Sequence, residues 1–107
     1  MMKRVVIESP LSGDYEYNRA YAKRCMLDSI ERGEAPYASH LLFAQPGILD
    51  DTNARERCKG MMAGFAWGEV ADLIAVYIDL GVSDGMRQGI ERHKANGIPI
   101  DFRSIDD

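Results

Sequence analysis

The sequence predicts an α/β fold with a four-stranded parallel sheet between helices, and three observations support this. Short β-branched or apolar runs alternate with segments whose apolar residues have helical spacing, in the order β-α-β-α-β-α-β. Residues 72–78 are almost continuously apolar, as expected for a central strand covered on both faces. Each right-handed crossover places its helix on one face of the sheet, and we expect strands one and three to be neighbours in the order 2-1-3-4. The prediction is therefore a three-layer, Rossmann-like domain.

Length and composition exclude several classes of protein. The 107 residues suffice for one compact domain spanning 1–107, and 46% hydrophobic with 28% charged residues is typical of a folded chain. A net charge of -4 argues against binding to a nucleic-acid backbone. No apolar run reaches the roughly 18 to 20 residues of a membrane span, and the amino terminus lacks a signal-peptide pattern. We expect a cytoplasmic protein without a cofactor, a metal, a nucleic-acid partner or a membrane partner.

The first half of the chain predicts a strand, a helix and a second strand. Residues 3–8 form a β-branched run that Ser9-Pro10 stops. Asp14 can cap a first helix, which Gly33 ends. Residues 36–42 predict the second strand. The apolar residues at helical spacing predict the buried side of the first helix, and they are Ala22, Cys25, Met26 and Ile30.

The second half predicts helix, strand, helix and strand. Asp51 or Thr52 can cap a second helix, and the third strand covers 72–78. A third helix runs from about 83 to 96, and residues 98–102 form the last strand. The second helix has apolar residues at i, i+3, i+4, i+7 and i+8, which predict its buried side: Cys58, Met61, Met62, Phe65 and Ala66.

Several residues have a structural interpretation. Cys25 and Cys58 lie in apolar stripes without a CxxC pair, which favours reduced core thiols. Two isolated histidines, His40 and His93, favour packing over metal binding or catalysis. Trp67 is expected in the core. If it and its methionine neighbours are exposed, they become a dimer surface, so we predict a homodimer or a higher homo-oligomer.

The predicted topology places a ligand crevice between the first and third strands. The loops that leave their carboxyl ends, residues 9–14 and 79–86, would form its walls, and free N–H groups at the following helix starts favour a phosphate or a carboxylate. Asn18 could reach a ligand hydroxyl or hydrogen-bond the loop, Tyr17 could stack on a base, and Asp84 could be a plain N-cap. The predicted ligand contacts are Ser9, Pro10, Leu11, Ser12, Gly13, Tyr17, Asn18, Asp79, Ser83, Asp84, Gly85 and Met86.

Four sequence segments carry a family resemblance. They are S-P-L-S-G at 9–13, Asn18 in the first helix, A-D-L-I-A-V-Y at 71–77, and S-D-G-M-x-x-G-I-E-x-x-x-x-x-G-I-P-I at 83–100. Together they resemble the nucleoside 2-deoxyribosyltransferase-like superfamily, which includes deoxynucleoside-monophosphate N-glycosidases. The chain is particularly similar to a short branch of phage and bacterial proteins of unknown function. The resemblance implies the same fold and a nucleotide-like ligand.

One position departs from the pattern of the transferases. Their third helix typically reads D-x-G-T-x-x-E-x-G-x-A-x-x-x-G-K-P-V, and its glutamate attacks the anomeric carbon of the sugar. Aligning Gly85 and Pro99 without a gap places Gly89 at that glutamate. Glu91 lies two residues on, about 200 degrees around the helix, so it does not substitute from the same face. The remaining candidates for a displaced catalytic carboxylate are Asp79, Asp84 and Glu8, together with Glu91.

Three functions are compatible with this pattern. The first is a small-molecule binding protein that holds a nucleotide or an ADP-ribose-type ligand in the crevice without cleaving it, for example a phage protein that sequesters nucleotide signals. The alternative is an N-glycosidase or deoxyribosyltransferase that acts on deoxynucleosides or their monophosphates through a displaced carboxylate. A further alternative is a protein-interaction module whose crevice is vestigial. Gly89 favours the first.

Overall fold

The computed structural model describes residues 1–106 and contains one four-stranded parallel sheet with the order β2-β1-β3-β4. The strands are β1 (Arg4–Glu8), β2 (Ala35–Tyr37), β3 (Leu73–Tyr77) and β4 (Ile100–Arg103). The helices are α1 (Tyr15–Glu31), α2 (Ser39–Leu42), α3 (Ala54–Gly68) and α4 (Asp84–Ala95). The predicted fold class and strand order are confirmed. Within the described residues, no helix is both long enough and apolar enough to cross a membrane.

The two central strands divide the core into two apolar layers. In register, Val6 of β1 lies beside Ile74 of β3, and Glu8 beside Val76. Side chains alternate along a strand, so Val6 packs with Met86 of α4 while its neighbours in β1 pack towards α1. The cluster on the α1 side comprises Val5, Ile7, Tyr21, Cys25, Ala38, Ala75 and Tyr77. Because of the same alternation, Glu8 points to the α4 side of the sheet.

Two side-chain caps start the helices at the carboxyl edge of the sheet. Asp14 accepts a hydrogen bond from the Tyr17 backbone N–H at 3.1 Å and caps α1 as predicted. Ser83 accepts from the Met86 backbone N–H at 3.2 Å and caps α4. Both helices therefore begin immediately after a loop that leaves a central strand.

The predicted second strand is wrong over most of its length. Only residues 35–37 are extended, and a short helix follows at 39–42. The pairing of β2 with β1 ends at Tyr37, and the next residue, Ala38, is buried. The backbone N–H of Phe43 then donates a hydrogen bond to the carbonyl of Ser39 at 2.8 Å, which is a helical contact. The apolar residues that suggested a strand instead form a helical turn over the sheet edge.

The cap and the buried side of α3 also differ from the prediction. Asn53 caps α3, and not the predicted Asp51 or Thr52. Thr52 instead donates hydrogen bonds from its backbone N–H and its hydroxyl to the Asp50 carboxylate, which forms a local turn before the helix. The buried residues of α3 are Gly64 and Gly68. The glycine side of α3 faces the protein interior, so part of the predicted apolar stripe faces solvent. As a result Cys58 and Ala66 are exposed, as are Met62 and Trp67, and on α1 the predicted Ile30 is also exposed.

Candidate ligand-binding cleft

A cleft opens at the carboxyl end of β1, where the loop after β1 meets α2, α3 and the first turn of α4. Its cavity volume is about 100 Å³. Half of the residues predicted as ligand contacts line it, and these are Ser9, Leu11, Ser12, Ser83, Gly85 and Met86. They come from both predicted walls, so the crevice between the loops after β1 and β3 exists as a feature of the structure.

The other predicted contacts on the first wall lie outside the cleft. The Asn18 amide donates to the carbonyls of Leu11 at 2.9 Å and Ser12 at 3.1 Å, which matches the loop-holding interpretation of this residue. Tyr17 is 58% exposed on the outer side of α1. Gly13 has a φ of +106°, a conformation that favours glycine, so it serves the turn between β1 and α1. Pro10, the second residue of this loop, is buried.

Asp79 lies on the far side of the sheet edge from the cleft. Its carboxylate accepts hydrogen bonds from the hydroxyls of Tyr21 and Ser104 and from the backbone N–H groups of Ile105 and Asp106. Partial burial raises the pKa of Asp79, but the hydrogen bonds from Ser104 and Tyr21 outweigh this and hold it below its usual range. Asp79 thus anchors the chain after β4 to α1.

Two further carboxylate candidates face solvent. The Asp84 side chain is 90% exposed and accepts from Arg87 at 3.0 Å, one turn along α4. Glu91 is exposed on the same helix. Neither lines the cleft, so of the four candidate carboxylates it contains only Glu8.

Glu8 occupies the space next to Gly89. A Cβ atom placed on Gly89 would lie 2.7 Å from Oε2 of Glu8 and 3.1 Å from its Cδ. The Glu8 side chain is 18% exposed, and burial raises its pKa, an effect that His93 partly offsets. The cleft therefore has a carboxyl group where a side chain at position 89 would otherwise begin.

A serine and a histidine form a second polar pair in the cleft. Oγ of Ser9 lies 2.9 Å from Nε2 of His40, which α2 carries over the end of β1. Burial lowers the pKa of His40 to about 4, with Asp51 partly opposing the shift, so the ring is neutral at pH 7, and the tautomer decides which of the two groups donates this hydrogen bond. The sequence prediction of a hydrogen-bonded His40 holds, but its place in the cleft depends on α2, which the sequence did not reveal.

The remaining wall comes from α3 and the segment before it, which sequence reasoning missed. Arg57 is the only arginine or lysine among residues 1–106 that lines the cleft, and its Nη2 lies 3.7 Å from the position that a Cβ on Gly85 would occupy. No local pattern marks this wall, because it arises from the packing of α3 against α2 and α4. Its other members are Phe43, Ala44, Leu49, Asp51, Glu56, Gly60, Met61, Gly64 and Phe65.

Comparison with known proteins places the chain in a family. Residues 3–103 match the family model described as Domain of unknown function (DUF7768). The chain belongs to this family. The comparison of the DUF7768 chain with curated proteins found no match.

Two solved structures resemble the DUF7768 chain. One is a 2-deoxyribosyltransferase from Bacillus psychrosaccharolyticus, with a TM-score of 0.65 and 14% identity over 94% of this chain and 72% of that one. The other is a CMP N-glycosidase from Clostridium botulinum, with a TM-score of 0.57 and 18% identity over 95% and 71%. These similarities show that the chain shares the fold of these two proteins, as the sequence resemblance implied.

Proposed function

We propose that the protein binds a nucleoside or nucleotide in the cleft. The supporting observation is the combination of groups around it: one guanidinium, Arg57, beside the first turn of α4, the Ser9–His40 pair, and the rings of Phe43 and Phe65. Guanidinium groups bind phosphate in a bidentate manner, and a helix start favours an anion. Hydroxyl and imidazole groups suit a sugar, and aromatic rings suit a base. The two similar solved structures are described as a 2-deoxyribosyltransferase and a CMP N-glycosidase.

Gly89 has no side chain at the position where the resembling transferases carry their glutamate. This supports a protein that binds its ligand without cleaving it. The candidates are nucleoside monophosphates and ADP-ribose-type molecules, and sequestration of such a ligand by a phage protein is one setting. At about 100 Å³ the cavity is smaller than the roughly 300 to 1,000 Å³ of typical ligand sites. We therefore expect the segment 43–53, which forms the outer wall, to move away when the ligand enters.

Calorimetry with paired ligands tests the proposal. Each nucleoside monophosphate is titrated beside its parent nucleoside, and ADP-ribose is included. Arg57→Gln should weaken monophosphate binding by about 10- to 100-fold, as expected for loss of a charged hydrogen bond, and should leave nucleoside binding unchanged. Arg55→Gln is the matched control, because Arg55 is exposed on the same helix outside the cleft. Failure of the wild type to bind any of these ligands would refute the proposal.

A second candidate function is cleavage of the N-glycosidic bond, and one observation favours it. Glu8 puts a carboxyl group into the space beside Gly89, the position at which the resembling transferases carry their glutamate. Glycoside cleavage needs a carboxylate near the anomeric carbon, as nucleophile or as proton donor. On this candidate Glu8, from the opposite end of the chain, replaces the missing group.

Release of free base separates the two functions. Deoxynucleoside monophosphates are incubated with the protein and the base is measured by chromatography. Cleavage that Glu8→Gln abolishes and Asp84→Asn preserves would support the second candidate, because Asp84 is an exposed carboxylate outside the cleft. Binding without release of base would support the first. Full activity in the Glu8→Gln variant would exclude Glu8 as the catalytic group.

Assembly and location stay predictions. Trp67 is 56% exposed and Met62 is 49% exposed, which is the condition under which the sequence predicts a dimer surface. Light scattering of the purified protein would test a homodimer. The cytoplasmic location and the interaction-module alternative also remain untested proposals.

A further inference from the structure

The buried ring of His93 on α4 packs directly against Gly68 on the neighbouring helix α3. The residue is fully buried, and a Cβ on Gly68 of α3 would overlap the ring, lying 2.6 Å from Nδ1 and 3.0 Å from Nε2. The ring of Phe65 meets the imidazole edge-on at a centroid distance of 5.9 Å. The imidazole is therefore packed against α3 and shielded from solvent.

Neither ring nitrogen of His93 has a hydrogen-bond partner among the residues that the structure describes. Buried polar atoms without partners are rare in native proteins, because each has lost its water. The carboxyl oxygen Oε2 of Glu8 lies 3.7 Å from Nε2, slightly beyond hydrogen-bond length. A small rotation of the Glu8 side chain would make that bond.

Two glycines on two helices leave room for these two ionisable side chains. Gly68 of α3 accommodates the imidazole, and Gly89, one turn before His93 on α4, accommodates the carboxyl group of Glu8. Alanine at either position would favour the helix more than glycine does, and apolar side chains could have filled the same space in the core. The space is instead filled by an acid and a base whose nearest atoms face each other.

Other charged groups around the pair are directed elsewhere. Arg57 and Glu56 of α3 line the outer part of the cleft, and His40 of α2 is bonded to Ser9. Arg92 of α4 lies over the ring of Phe65, 5.0 Å from its centroid. Within residues 1–106, His93 is the only ionisable group that shifts the pKa of Glu8; it acts against the larger effect of burial, which raises that pKa.

We propose that Glu8 and His93 share one dissociable proton, and that His93 is a positioning residue that holds the Glu8 carboxyl group in the cleft. Transfer breaks the O–H bond at Oε2 of Glu8 and forms an N–H bond at Nε2 of His93. It converts a carboxylic acid and an imidazole into a carboxylate and an imidazolium, and the net charge of the pair stays at zero. The cleft thus presents either a proton donor or a carboxylate to its ligand at the same net charge. The role of this proton towards a ligand rests on the proposed function, whereas the sharing of the proton between Glu8 and His93 does not.

The titration of Glu8 in the ligand-free protein tests the proposal. Carbon-13 NMR of the glutamate carboxyl groups follows Glu8, assigned by comparison with Glu8→Gln. Loss of the imidazolium in His93→Gln should move the Glu8 midpoint upwards by about one pH unit or more, the size expected for coupled sites. Lys94→Gln, which removes an exposed charge from the next position of α4, should leave it unchanged. An identical midpoint in wild type and His93→Gln would overturn the proposal.

A second measurement covers the case in which His93→Gln does not fold. Nitrogen-15 NMR of the His93 ring should show a change in both ring signals at the pH at which Glu8 titrates, and Glu8→Gln should remove that step. Ring signals that do not respond at the Glu8 midpoint would refute the shared proton. A histidine that keeps one protonation state would not show the large movement of both signals that protonation produces. Both measurements use protein without ligand, so a failure of the ligand-binding proposal would leave their result standing.

Discussion

The tight contact between Gly68 and His93 makes a quantitative prediction about Gly68→Ala. The added Cβ would overlap Cε1 of His93 and lie 2.6 Å from Nδ1, whereas ordinary carbon contacts are about 3.5 to 4 Å, so the helix or the ring must move by more than about 1 Å. The ring is completely buried. Overpacking of this kind costs about 1 to 3 kcal/mol, and alanine returns at most about 1 kcal/mol of helix propensity. We expect a net loss near 2 kcal/mol, or about 8 °C in Tm.

Urea unfolding measured by circular dichroism provides the test. Gly60→Ala on the same helix is the control, because its Cβ would meet only Leu49 at 3.4 Å, an ordinary contact. That variant should be unchanged or slightly more stable. In a His93→Ala background the ring is gone, so Gly68→Ala should cost much less, and the double-mutant cycle should give a clear coupling energy. Equal stability of Gly68→Ala and Gly60→Ala, or strict additivity in the cycle, would refute the packing described above.

Three further predictions concern ionisable groups. Burial raises the pKa of Glu8 in the folded state, so the free energy of unfolding of the wild type relative to that of Glu8→Gln should fall as pH rises above the ordinary value of 4.5; a difference that does not change with pH would contradict it. Hydrogen bonds lower the pKa of Asp79, so Asp79→Asn should destabilise at pH 7 by an amount that shrinks as pH falls below the ordinary value of 3.8; a constant difference across this range would contradict it. Glu34 binds Arg103 through two contacts of 2.8 Å with side-chain exposures of 12% and 4%, and Arg103 keeps Asp101 as a partner, so Glu34→Gln should cost about 1.5 to 3 kcal/mol in urea unfolding, as for loss of a charged hydrogen bond. Asp84→Asn breaks an exposed pair and should cost less than about 1 kcal/mol; similar losses in the two variants would contradict the role of burial.

The sheet and most helix boundaries could be predicted because their signals are local. The continuous apolar run of β3 marks a strand covered on both faces, and the caps Asp14 and Ser83 mark helix starts through hydrogen bonds that span three residues. The order 2-1-3-4 is one of the common orders of doubly wound sheets, and the structure has it. The failure at 36–42 has the same origin, since a short apolar run is equally compatible with a strand and a helical turn.

The buried side of α3 shows where periodicity misleads. Its methionines and Trp67 have the spacing of a core-facing stripe, yet the helix packs through Gly64 and Gly68. Glycine contributes nothing to a hydrophobic pattern, although it permits the closest approach between helices. This rotation of α3 also brings Arg57 to the cleft, which no local signal indicated.

The α/β architecture, the two loops at the carboxyl ends of β1 and β3, and the glycine at position 89 follow from the sequence alone, because each depends on residues close together along the chain. What occupies the space beside Gly89 depends on the tertiary structure. Glu8 and His93 come from opposite ends of the chain, and the parallel pairing of β1 with β3 and the packing of α4 over them bring their side chains to 3.7 Å. Spacing along the sequence carries no information about such a contact, because the sheet register and helix packing set it.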